Sequence, residues 1–185
     1  MRKKLFPVLG LLACIALSCG SKKTKTTADT PQNNDYLVSM SGIDSVKIDM
    51  TKADLEKLLN TKLTLPHISA DNGIDTLHVK YKGMDMTFFM DGSSDSTATL
   101  RGIQTSNVSC KTTAGIGTGS GKMNVIDAYA DYLKYVGPEY EEYPVRSATK
   151  SEIAVMDTLT ANAMVFHIIN KKVVSVEVRY YYEFY

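Results

Sequence analysis

The chain has 185 residues, 44% of them hydrophobic, with a formal net charge of +1 and no tryptophan beside 11 tyrosines. That balance excludes the strongly basic surface of a nucleic-acid binder. Three histidines and three cysteines leave little material for metal or nucleophilic chemistry.

Met1-Arg2-Lys3-Lys4 sets three positive charges ahead of an apolar run of 13 residues, Leu5 to Leu17, broken by Pro7 and Gly10. A membrane-spanning helix needs roughly 20. A charged start, a short apolar middle and a small-residue exit are instead the form of a secretory signal. The exit, Ala16-Leu17-Ser18-Cys19-Gly20, resembles the lipobox of bacterial lipoproteins. The resemblance implies cleavage before Cys19, a diacylglyceryl thioether on its sulfur and acylation of the freed amine. Two or more acyl chains hold a protein stably where one is marginal. Leu11-Leu12-Ala13-Cys14 fits the same motif and makes Cys14 the alternative, at the expense of a shortened apolar run. Residues 1–18 are therefore read as a signal peptide. Losing Arg2, Lys3 and Lys4 turns the net charge from +1 to −2. Gly20 is not the aspartate that retains many lipoproteins in the inner membrane, so the expected address is the outer membrane with the body facing the periplasm.

Residues 19–35 carry the lipidated cysteine and a tether without large apolar side chains, which cannot offset the entropy of ordering. Residues 36–185 make one body of a size that buries a core. Thr51-Lys52-Ala53-Asp54 reads as a capping box, with each polar side chain closing a backbone N–H. Met50 and Leu55 form a hydrophobic staple, and Leu55, Leu58 and Leu59 a stripe, which together predict a helix at 52–60. Alternation predicts strands at 76–81 and 84–90 around a Lys82-Gly83 turn, then a weaker strand at 97–106. A second helix is predicted over 122–136, with the stripe Ile126, Tyr129, Leu133 and Val136, and Gly137-Pro138 ending it. An acidic, tyrosine-rich loop, Glu139 to Tyr143, leads to strands at 152–158, 163–169 and 173–184, the last two joined by Asn170-Lys171-Lys172. In the closing strand Val174, Val176, Val178, Tyr180, Tyr182 and Phe184 alternate with Ser175, Glu177, Arg179, Tyr181, Glu183 and Tyr185. The predicted class is α+β: two tandem helix–β–β–β units, 36–112 and 113–185, with antiparallel sheet packed on short helices.

The glycine run from Gly115 to Gly121 invites a nucleotide reading but has Ile116 and Met123 where a phosphate-binding loop needs glycine and a hydroxyl. It is read as a flexible lead-in to the second helix, and no nucleotide or other cofactor is expected. Thr113-Ala-Gly-Ile-Gly-Thr-Gly-Ser120, Val125, Tyr129 and Tyr135-Val136-Gly137-Pro138, extended by Phe166 to Val176, resemble a signature of small bacterial envelope lipoproteins. Similar helix-plus-antiparallel-sheet units occur in BamE-like (SmpA/OmlA) lipoproteins and, in tandem, in beta-lactamase inhibitor proteins. The resemblance covers residues 113–185 and implies a scaffold that binds other proteins. It carries over no functional residue.

His67, His78 and His167 are scattered and stand at no catalytic spacing, and Cys110 reads as a small buried hydrophobe. Asp127 and Asp131 fall on one predicted helical face that Lys134 shares. Asp91, Ser93 and Asp95 alternate like a calcium loop without its glycine at position six or its glutamate at twelve. No metal site is expected. The functional expectation is a non-enzymatic envelope protein, held to a membrane by lipid, that binds another envelope protein or a cell-wall component. Tyr140, Tyr143, Tyr181 and Tyr185 are the candidate contacts, since tyrosine joins large area to a polar tip. The alternatives are a small-ligand or lipid-binding module using a cleft between helix and sheet, and an envelope hydrolase.

Overall fold

The computed structural model describes residues 36–65, 74–92, 94–142 and 144–181. Cys14, Cys19 and the tether lie outside the described residues, as do His67, Ser93, Tyr143, Tyr182, Phe184 and Tyr185. Every described residue belongs to one unit, Asn33–Tyr185.

Three very short strands come first: β1 (Leu37–Ser39), β2 (Gly42–Ile43) and β3 (Val46–Lys47). With β7 (Lys111–Thr112), which runs parallel to β1, they form a small sheet in the order β3-β2-β1-β7. Val38, Ile43 and Val46 are buried. Pieces this short are below the window in which alternation can be read, so the sequence does not announce them.

Helix α1 (Lys52–Leu59) follows where the capping residues place it. The Thr51 hydroxyl oxygen accepts from the Asp54 N–H at 3.2 Å and donates to the Asp54 carboxylate at 2.7 Å. Asp54 thus receives the threonine hydroxyl and not a backbone N–H, which is half of the predicted box. Leu55 is fully buried, with Met50, Leu58 and Leu59 packed around the same core.

The main sheet is built from β4 (Asp75–Tyr81), β5 (Met84–Asp91), β6 (Thr99–Thr105), β8 (Leu133–Glu142), β9 (Val145–Asp157), β10 (Asn162–Ile169) and β11 (Lys172–Tyr180). These seven run antiparallel in the order β4-β5-β6-β11-β10-β9-β8. The two predicted hairpin turns have left-handed central residues, Lys82 and Gly83 in one and Asn170 and Lys171 in the other, which matches the twist of the flanking strands. One face of the sheet contributes Phe88, Ile103, Ile153, Phe166 and Val178 to a core closed by the small sheet, α1 and α2 (Lys122–Ala128).

The tandem helix–β–β–β class is overturned. Among the described residues the chain is mostly strand, with two short helices. The expected halves share one sheet, because β6 pairs with β11. The second half has four strands, since residues 133–142 are β8, where a helix to residue 136 and a loop from Glu139 were expected. Val136 and the glycine and proline after it explain the change. The residue before a proline avoids helical backbone, and proline inside a sheet is tolerated at an edge, where β8 lies. The predicted stripe therefore breaks: Tyr129 is buried, while Leu133 and Val136 are 58% and 45% exposed. Asp131 falls beyond the end of α2 and shares no helical face with Asp127.

The closing alternation is also corrected. The pairing of β10 with β11 shifts between His167 and Ile168, opposite Ser175 and Val173. Val174 is the extra residue of this bulge and is exposed, while Val173 takes the inward place.

Candidate functional site

The second face of the main sheet carries the arrangement that bears on function. Cross-strand register sets Leu133 beside Met156 and Ala163, and Tyr135 beside Ala154 and Val165. Ala154, Met156, Ala163 and Val165 form a separate small apolar cluster, against which Tyr181 packs. At the rim of this cluster Leu133 and Tyr135 stay 58% and 49% exposed, with Tyr132 at 51% just ahead of them. β8 pairs with β9 on one side and is the last strand of its sheet, so its other edge is open among the described residues.

Edges of this kind are usually blunted by charge, bulges or proline. The far half of β8 follows that rule with Pro138, two register irregularities, Glu139 and Glu141. The near half does not. Its one charged side chain, Lys134, turns away to the carbonyls of Tyr129 and Ala130 at 3.1 and 2.9 Å, closing the end of α2.

A charge network adjoins the cluster on the same face. His167 Nε2 lies 2.8 Å from a Glu177 carboxylate oxygen, and its Nδ1 is 3.6 Å from Glu139. Arg179 reaches Glu177 at 3.4 Å and Glu152 at 3.8 Å. Burial by itself lowers the His167 pKa. The hydrogen bond and charge of Glu177, aided by Glu139, outweigh it, so the net shift is upward. This network was missed in the sequence because its members are far apart in the chain and meet only by strand register.

The sequence candidates are dispersed. Tyr181 lies one residue beyond β11, on the apolar cluster. The backbone of Tyr140 sits in β8 opposite Arg146. Tyr143 and Tyr185 fall outside the described residues. His78 is exposed on β4, 3.3 Å from the Thr87 hydroxyl. Asp95 is engaged by Lys52 at 2.8 Å and Asp91 by Arg101 at 3.6 Å. Among the described residues no three His, Cys, Asp or Glu side chains gather as metal ligands would. Cys110 is fully buried, its sulfur 3.3 Å from that of Met84, and burial pushes its thiol up to about 11, far from a thiolate nucleophile.

No family model, curated protein or solved structure matches the chain. The resemblance to BamE-like and beta-lactamase inhibitor proteins expected from residues 113–185 gains no support from them, and the tandem units it implied are not this fold.

The glycine run serves the backbone. Thr112 N–H donates to the Ile116 carbonyl at 2.8 Å, and Gly119 N–H to that of Val173 at 2.8 Å, so the segment is tied to the fold at both ends. A Cβ on Gly117 would collide with the Cys110 carbonyl, whereas one on Gly115 meets open space at a φ of +74°. Gly117→Ala is expected to cost about 2–3 kcal/mol by forcing backbone apart, against about 1 kcal/mol for Gly115→Ala. Denaturant midpoints of the two variants measure the difference, and equal costs would refute the close approach.

Proposed function

We propose that this chain is a lipid-anchored protein of the bacterial envelope, held through Cys19 or alternatively Cys14, that works without catalysis by docking another envelope protein. The carrying observation is the open near half of β8, with Leu133 and Tyr135 exposed at the rim of an apolar cluster. An extended segment of the partner would add to the sheet edge and lay apolar side chains over Leu133 and Tyr135. Main-chain bonds would supply affinity and the side-chain contacts specificity. The outer membrane, with the body facing the periplasm, is the proposed address.

Two experiments test this reading. A photoreactive analogue placed at Tyr132 in intact cells should crosslink one distinct protein. Changing Leu133 and Tyr135 together to serine should weaken that product about tenfold, because a central tyrosine commonly carries a large share of binding energy. A crosslink that survives the double change, or one only between copies of this chain, defeats the docking site. Separately, Cys19→Ala should yield a soluble or unprocessed form. If that variant is still processed and membrane-bound while Cys14→Ala is not, the anchor is Cys14.

A further inference from the structure

On the opposite face, at the same end of the sheet, an open cleft of about 710 Å³ lies between the start of α2, the β8–β9 pair and the β10–β11 turn. Lys122, Lys150, Lys171 and Lys172 line it together with the hydroxyls of Thr149 and Ser151, and no carboxylate belongs to the lining. Three separate stretches of chain bring these residues together, and backbone bonds fix them. Lys122 N–H donates to the Lys171 carbonyl at 2.9 Å, and Asn170 N–H to that of Thr149 at 3.0 Å. Lys122 also donates from its ammonium to Ser151 Oγ at 3.1 Å, which leaves the serine proton free to point into the cleft.

Several lysines elsewhere are compensated by carboxylates, and Lys111 and Lys134 are spent on backbone carbonyls. Lys52, Lys62 and Lys82 each sit within 3.0 Å of a carboxylate, and Lys80 lies 3.5 Å from Asp85. The four cleft lysines have no such partner among the described residues. Four like charges converging on one concavity repel one another and concentrate anions there. The nearby Glu141 is already used, accepting from Ser147 at 2.9 Å on one wall.

We propose that this cleft binds a phosphate ester. A group with several acceptor oxygens and up to two negative charges answers four ammonium and two hydroxyl donors better than a carboxylate, with two oxygens and one charge. A volume of about 710 Å³ also exceeds what a bare ion fills and suits an ester with an organic body. Met123, Val136 and Pro138 supply the apolar wall that such a body would touch. The ester is either a phospholipid headgroup or a soluble phosphorylated metabolite. The site is distinct from the docking edge and does not depend on it.

Lysine acetylation rates, read residue by residue by mass spectrometry on the full chain, test the proposal and separate the sources. The chain is reconstituted in phosphatidylcholine vesicles, in vesicles containing phosphatidylglycerol, and in phosphatidylcholine vesicles with glycerol 3-phosphate added. A headgroup ligand is expected to slow labelling of Lys150, Lys171 and Lys172 about threefold or more with phosphatidylglycerol and not with glycerol 3-phosphate. A soluble ester gives the same protection from glycerol 3-phosphate alone. Lys57, Lys62 and Lys80 should be unchanged in both cases. Protection from neither probe, or equal protection of the three control lysines, overturns the proposal.

Discussion

Replacing Phe166 with alanine is expected to remove about 3–5 kcal/mol of stability, the usual cost of truncating a fully buried aromatic ring. Phe166 is 0% exposed in β10, near the middle of the main sheet, and its ring centroid lies 5.7 Å from that of Tyr129 at the end of α2. The loss therefore opens a cavity where sheet and helix meet and also removes an aromatic pair. Set against a typical total of about 5–15 kcal/mol, it is large enough to leave the variant partly unfolded at 37 °C. Leu133→Ala provides the contrast. Were residues 122–136 one helix with Leu133 in its buried stripe, the two substitutions would be similarly severe. With Leu133 on an exposed edge, its truncation should stay within about 0.5 kcal/mol. Urea unfolding of both variants decides the matter, and a severe Leu133→Ala would sink the strand assignment.

The second large effect is expected at Glu177. Its side chain is 8% exposed and engages His167 and Arg179 together. Glu177→Ala takes from both cations, on a mostly buried face, a carboxylate closer than Glu139 is to His167 or Glu152 to Arg179. Removing one partner of a buried pair costs about 3 kcal/mol or more when the other stays charged. The cost depends on pH through His167. Its folded pKa lies above the unfolded value of about 6.5, so the stability it contributes is fully present below that value. The contribution is lost as pH rises through the raised folded pKa. The penalty of Glu177→Ala should therefore be larger at pH 5.5 than at pH 9, and the stability gap between the native chain and His167→Gln should shrink over the same range. Thermal melts of the three proteins across that interval are the measurement, and a penalty that grows with pH would refute the pairing.

Local signals were reliable where a few neighbouring residues settle the outcome. Thr51 and Asp54 mark the start of α1 because capping is an interaction over three residues. Lys82-Gly83 and Asn170-Lys171 mark hairpins because Gly83 and Asn170 readily take the left-handed backbone of a two-residue turn. The alternation in residues 76–81 and 84–90 was legible for the same reason. The candidate site was much less so. Tyr181 is the sequence candidate whose side chain is described, and it lies on the small apolar cluster. The exposed Leu133 and Tyr135 were hidden inside a stretch whose apolar spacing also fits a helix.

By itself the sequence determined the first helix, the hairpins and the burial of Cys110, all through local composition and short-range pattern. Tertiary structure alone decided that residues 133–142 are a strand, because β9 offers their backbone a full ladder of partners that no local window contains. It also decided that β6 and β11 join the two halves into one sheet. The same long-range pairing gathers Glu139, His167, Glu177 and Arg179 on one face and four lysines in a cleft beneath the other. Register between strands distant in sequence sets which side chains become neighbours, and that information is spread over the whole chain.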